Sequence, residues 1–166
     1  MKTTISVLCA LYAWVGIAHA DDFLQASSTI TQCPGPEPAV VEIDVVDGAE
    51  DIALEDNRIT VSEAGTYLII AAPQVGREGD GPLGCFDLWL RVNGSDVSNS
   101  NVQLCQDAGS KAKDVIISQG IVPLEENDVL EVMMSANNPE AELCIEAIQP
   151  EGEPLVPSII FSMIKY

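Results

Sequence analysis

Between Ala64 and Tyr166 the chain reads as a ladder of short strands, and these are of two kinds. Cys85-Phe-Asp-Leu-Trp-Leu-Arg-Val92 alternates strictly, with Phe86, Leu88, Leu90 and Val92 on one face and Asp87, Trp89 and Arg91 on the other. Thr66-Tyr-Leu-Ile-Ile-Ala-Ala72 and Pro157-Ser-Ile-Ile-Phe-Ser-Met-Ile164 are apolar on both faces. An alternating strand has water on one side, whereas a doubly apolar strand needs cover on both. Almost no segment carries helical periodicity, so no amphipathic helix is at hand for the second cover. The expected cover is another copy of the same chain.

The first twenty residues read as an export leader. Lys2 supplies a positive start, Ile5 to Ile17 is largely apolar, and Ala18-His-Ala20 is a small-x-small cleavage signal before Asp21-Asp22. That run is too short to span a bilayer, and no later segment approaches one. Removal of residues 1–20 takes away His19, the only histidine, and Lys2, which leaves six bases against twenty-six acids. Such a charge disfavours nucleic acid and anionic lipid as partners. Residues 21–166 are expected to form one domain, secreted (periplasmic or at the cell surface if the host is bacterial), with four cysteines (Cys33, Cys85, Cys105 and Cys144) in an oxidising compartment.

Strand signals recur at the spacing of an all-β sandwich. Phe23–Thr31 is the first, followed by a turn at Cys33-Pro-Gly-Pro-Glu-Pro38. Val40–Val46 and Arg58–Ser62 alternate, and Tyr67–Ala72 is expected to end or bulge at Pro73. Gln74–Gly84 is glycine-rich and reads as a loop. Asn93-Gly94 is the strongest two-residue hairpin signal, because a type I′ turn needs positive φ at both positions. Ser95–Leu104 is the expected return strand. Val115–Val122, Val129–Met134, a short piece within Leu143–Ile148, and Pro157–Tyr166 complete the set. The pattern predicts a two-sheet antiparallel jelly-roll β-sandwich.

Particular runs carry a family likeness. Ile59-Thr-Val-Ser-Glu-Ala-Gly65-Thr-Tyr-Leu-Ile resembles the opening of the third strand of C1q-like and tumour-necrosis-factor-like domains. Asp87-Leu-Trp-Leu-Arg-Val-Asn-Gly94 with Val97-Ser-Asn-Ser-Asn-Val102 resembles their central hairpin. Val122-Pro-Leu-Glu-Glu-Asn-Asp128-Val resembles the family's leucine…Gly-Asp-x-Val step, with Asn127 where glycine is usual. Val156-Pro-Ser-Ile-Ile-Phe resembles the final strand. The likeness spans roughly residues 23–166 in the right order, and is nearest to versions found in viral and marine microbial structural proteins. No collagen-like Gly-X-Y stalk is present, which argues against complement-type or cytokine-type roles.

The resemblance implies a homotrimer that packs one sheet of each subunit about a three-fold axis. That sheet holds the third and last strands, so Tyr67, Ile69, Ile160, Phe161 and Met163 are the expected interface. Four cysteines allow three pairings, and spacing alone leaves the choice open. The resembled topology implies Cys85–Cys105 and Cys33–Cys144, all four at the end of the sandwich away from both termini.

Chemistry is sparsely signalled. Without histidine, neither a Ser-His-Asp nor a Cys-His arrangement can form, and imidazole metal sites are excluded. Ser110-Lys-Ala-Lys113 fits a Ser-x-x-Lys pattern but lacks the helix and companion motifs of that chemistry. No enzyme is expected. Calcium is the one cofactor considered: Asp80, beside Glu78, shares one end of the resembled topology with Glu140, Glu142 and Glu146, and hard oxygen ligands from several loops suit that ion. Asn93-Gly-Ser95 is also an N-glycosylation sequon if the host is eukaryotic. Trp89, on the polar face of its strand, is the candidate partner or sugar contact. Two functions follow as expectations: a homotrimeric structural or interaction module whose loops contact an extracellular protein or glycan, and a carbohydrate-binding β-sandwich using Trp89.

Overall fold

The computed structural model describes residues 22–166, so the leader assigned to residues 1–20 lies outside the described residues. The strands, in chain order, are β1 (Phe23–Ser28), β2 (Ala39–Val40), β3 (Val45–Glu50), β4 (Ile52–Glu55), β5 (Arg58–Val61), β6 (Gly65–Gly76), β7 (Gly84–Val92), β8 (Ser95–Asp96), β9 (Val102–Gln106), β10 (Asp114–Val115), β11 (Ser118–Leu124), β12 (Val129–Ala136), β13 (Cys144–Ile145) and β14 (Ile159–Lys165). A single 3-10 turn covers Pro139–Ala141. All pairings are antiparallel. One sheet runs β6-β14-β1-β3, with β10, β11 and β13 also on β6; the other runs β4-β5-β12-β7, with β2 on β12 and β8 and β9 on β7. This is a two-sheet β-sandwich of jelly-roll type.

The core is where the inner faces meet. Leu24, Tyr67, Ile69, Phe161 and Met163 of the first sheet pack against Ile59, Phe86, Leu88, Leu90, Leu130 and Val132 of the second, all essentially closed to water. Burial of each such side chain contributes about 1.5–3 kcal/mol. The interface expectation is therefore corrected at four positions. Tyr67, Ile69, Phe161 and Met163 face the opposite sheet and belong to the core of one chain. Only Ile160, 45% exposed, lies on the outer face. Both faces of these strands are apolar, but the set assigned to the interface is the one that turns inward, and the set that alternates with it faces out.

β6 runs straight through Pro73, where it was expected to end or bulge. The reason is local. The Gln74 N–H donates to Ser158 O on the β14 side, so Pro73 turns its missing donor the other way. On that side β11 stops opposite Ala71 and β10 begins opposite Gln74, leaving a gap in the ladder where no donor is needed.

The expected strand Val40–Val46 is two strands. Ala39–Val40 pairs with β12, and Val45–Glu50 pairs with β1, so this segment crosses from one sheet to the other. Side chains hold the crossing: Gln32 donates through Nε2 to Glu42 O and accepts from the Glu42 N–H, and Asn57 Oδ1 accepts from the Ile43 N–H. β4 is an addition to the expected set. It turns into β5 at Asp56-Asn57, both at positive φ (49° and 63°), a turn without the glycine that would have signalled it.

The return from Asn93-Gly94 is also broken. Arg91 pairs with Asp96, but Leu88 pairs with Val102, so three residues are looped out between β8 and β9. Ser100 fills the gap, its hydroxyl accepting from the Leu90 N–H at 3.0 Å. The shift brings Cys85 opposite Cys105, and these two are disulfide-bonded. Cys33 and Cys144 form the second bond. Both lie at the end of the sandwich remote from Phe23 and Tyr166. Among the described residues no helix is long and apolar enough to cross a membrane.

Candidate binding surfaces

The outer face of the first sheet is built by the residues that alternate with the core. Strand register aligns Ile121, Leu68, Ile164 and Phe23 into one rung across β11, β6, β14 and β1, ending at Glu50 on the edge. The next rung is Gln119, Ile70, Ser162, Gln25 and Gly48. Apart from that terminal glutamate, neither rung carries a charge. Ile121 is 66% exposed, Ile164 40% and Phe23 38%. A shallow apolar cleft of about 280 Å³ runs between Phe23, Leu68, Ile70 and Ile164. In the middle, the Ser162 hydroxyl donates to Gln25 Oε1 at 2.6 Å.

The disulfide-bonded end is organised by Arg77, which is buried to 1% exposure. Its Nε donates to Ser110 O, Nη1 to Pro82 O and Ala141 O, and Nη2 to Asp107 O. Three loops are thereby tied to one guanidinium, whose fixed fork of donors suits carbonyls arriving from several directions. Gly81 sits so close that a Cβ there would lie 2.7 Å from Ala141 O and 2.9 Å from Arg77 Nη1. Sequence reasoning left Arg77 inside a glycine-rich loop. The available signal was a lone base among three glycines in an acid-rich chain.

The acids singled out at this end do not converge. Asp80 pairs with Lys111 at 3.2 Å, Glu140 lies within the 3-10 turn with its own N–H donating to Asn138 Oδ1, and Glu142 caps that turn at φ 54°. Among the described residues, no group of three or more histidine, cysteine, aspartate or glutamate side chains is placed to hold a metal. Lys113 instead bridges Glu146 and Glu78, each at 2.6 Å. Glu146 first, then Glu78, raise the Lys113 ammonium above the usual lysine range, and Lys113 in turn lowers the Glu78 carboxyl. A cleft of about 500 Å³ opens over the Cys33–Cys144 bond, rimmed by Glu78, Glu142 and Glu146.

Trp89 is half-buried, not the open side chain expected, and pairs across strands with Met133. Its indole N–H donates to Asp96 Oδ1 at 2.8 Å, and the same oxygen accepts from Arg91 Nε at 2.8 Å. Arg91, then Trp89, hold the Asp96 carboxyl below the usual aspartate value.

Asn93 and Gly94 have φ of 49° and 78°, the type I′ geometry. The Asn93 amide is engaged on both sides: Nδ2 donates to Asp128 Oδ1 at 2.7 Å and Oδ1 accepts from the Val129 N–H at 3.0 Å. The side chain clamps the hairpin to the start of β12, so the sequon nitrogen already has a structural partner. No family model matches this chain, and a search of curated proteins finds no match.

Proposed function

We propose that the chain is a secreted homotrimeric interaction module without catalytic activity. It associates through the outer face of the first sheet and offers its disulfide-bonded loop end to an extracellular protein or glycan. The observation that carries this reading is the uncharged rung Ile121–Leu68–Ile164–Phe23 on a chain of net charge −19. A foreign partner for so acidic a protein would be selected by basic groups facing acids. This face lacks acids until Glu50, so its best complement is an equally uncharged apolar face, and a second copy has one. Three copies are proposed because the family likeness places the strands corresponding to β6 and β14 about a three-fold axis. Secretion is supported by the leader-like sequence and by the two disulfides.

Adjacent residues on opposite faces make the test sharp. Ile70→Asp puts a charge on the outer face and is expected to give a folded monomer by light scattering, where the wild type gives three chain masses. Ile69→Asp buries a charge in the core and is expected to unfold the chain. A monomeric wild type at micromolar concentration refutes self-association, and a dimer or tetramer refutes the three-fold arrangement.

A further inference from the structure

We propose that the outer face of the second sheet carries a binding site for neutral oligosaccharides of gluco configuration, centred on Trp89. A cleft of about 310 Å³ opens there, lined by Asp87, Trp89, Asp96, Asn99, Asn101 and Ser135. This volume lies at the small end of the range for ligand sites, about 300–1,000 Å³. It suits one or two sugar rings.

Two kinds of group meet in this cleft, and a pyranose needs both. The indole supplies a rigid aromatic surface. Its half-buried part packs on the sheet, its N–H is held by Asp96, and the remainder borders the cleft. A sugar whose hydroxyls are all equatorial presents a flat face of axial C–H groups, which packs on such a surface as other apolar groups do. The polar rim is also fixed. Asp87 accepts from Asn101 Nδ2 at 3.1 Å and from Gln103 Nε2 at 3.2 and 3.1 Å, so its carboxylate is oriented before any ligand arrives. Carboxylates and amides match the spacing of vicinal hydroxyls because each offers two adjacent donor or acceptor sites. The Ser135 hydroxyl and the Asn99 amide make no side-chain hydrogen bond among the described residues. They remain available to a ligand.

Charge narrows the ligand further. Asp96 is paired with Arg91, while the two amides on Asp87 orient its carboxylate without neutralising it, and a single indole beside it is not the aromatic cage that holds a quaternary ammonium. Uronic or sulfated sugars would approach two carboxylates on a strongly acidic chain and be repelled. Neutral sugars meet neither penalty. The site lies on the sheet opposite the apolar rungs, so it stays open whether or not those rungs are covered, and it does not depend on the proposed trimer.

The test follows the Trp89 indole N–H by two-dimensional NMR of the full chain, the signal being identified by its loss in Trp89→Phe. Cellotriose and chitotriose are expected to shift it saturably at millimolar concentration, while a uronic-acid trisaccharide and choline leave it in place. Trp89→Ala is expected to abolish binding but also uncovers Met133. Ser135→Leu therefore provides the independent variant: it fills the cleft without breaking a side-chain hydrogen bond. It should melt like the wild type and bind cellotriose about tenfold more weakly. No shift with either neutral sugar, an equal response to the uronic-acid sugar or choline, or unchanged affinity in Ser135→Leu overturns the proposal.

Discussion

Replacing each disulfide by a pair of serines should destabilise the protein unequally, and the order is set by how much chain each bond closes. Cys33–Cys144 spans a separation of 111 residues and Cys85–Cys105 only 20. Cross-linking removes entropy from the unfolded chain in proportion to the logarithm of the loop, which gives about 4.8 kcal/mol for the long bond and about 3.3 kcal/mol for the short one at 25 °C. Packing modifies this little, since Cys33 and Cys105 are exposed and each pair has only one more enclosed member. In a domain of this size the losses correspond to falls in melting temperature of about 15 °C and about 10 °C. The assay is urea and thermal unfolding of Cys33→Ser/Cys144→Ser and Cys85→Ser/Cys105→Ser at one protein concentration, so that any self-association contributes equally. The difference between the pairs, about 1.5 kcal/mol, is roughly tenfold in the unfolding equilibrium constant. Equal losses, or a larger loss for the short bond, would show that local strand pairing at β7–β9 outweighs loop closure and refute the reasoning.

Two further outcomes follow from single residues. Arg77→Lys keeps the charge but replaces a fork reaching four carbonyls by one ammonium, and should cost about 3 kcal/mol through carbonyls left without a donor. Hydrogen exchange should show the loss as faster opening around Asp107–Ser110 and Ala141, and unchanged exchange there would count against Arg77 as the tie. Asp128 is held below the ordinary aspartate value of 3.8, first by the Glu125 N–H and then by the Asn93 amide. A depressed carboxyl contributes stability that is present above 3.8 and lost as pH falls through the folded value. The melting-temperature gap between wild type and Asp128→Asn should therefore be fully open at pH 7 and close below about pH 4; a gap that persists in acid would mean the hydrogen bonds do not depend on ionisation.

The sandwich was legible because its strands declare themselves by alternation, and Asn93-Gly94 because its geometry admits few other residues. β4 was not legible, since Asp56-Asn57 reaches the same left-handed geometry with residues that also serve ordinary loops. The three residues looped out after Asp96 were invisible for a different reason. Strand register depends on a tertiary contact, here the Ser100 hydroxyl accepting from Leu90 while Ser118 Oγ donates to Ser100 O at 2.6 Å. Cys85 and Cys105 come opposite one another only because of that insertion. A plain two-residue hairpin would have left them three positions apart.

The same limit governs the candidate surfaces. Periodicity reveals that β6 and β14 have two apolar faces, but it does not say which set of residues turns inward, because a one-residue change of phase exchanges them. Tyr67 decides the phase. Its ring is sealed in the core and its hydroxyl escapes at the end of the sheet to donate to Glu63 O at 2.8 Å, an exit that exists only at the first inward position of the strand. Burial pushes that phenol above its usual range, as expected of a hydroxyl with little water around it. With Tyr67 inward, Ile69, Ala71 and Val75 follow it, and Leu68 and Ile70 must face out. The large aromatic is thus the element of the core that determines which apolar residues face outward.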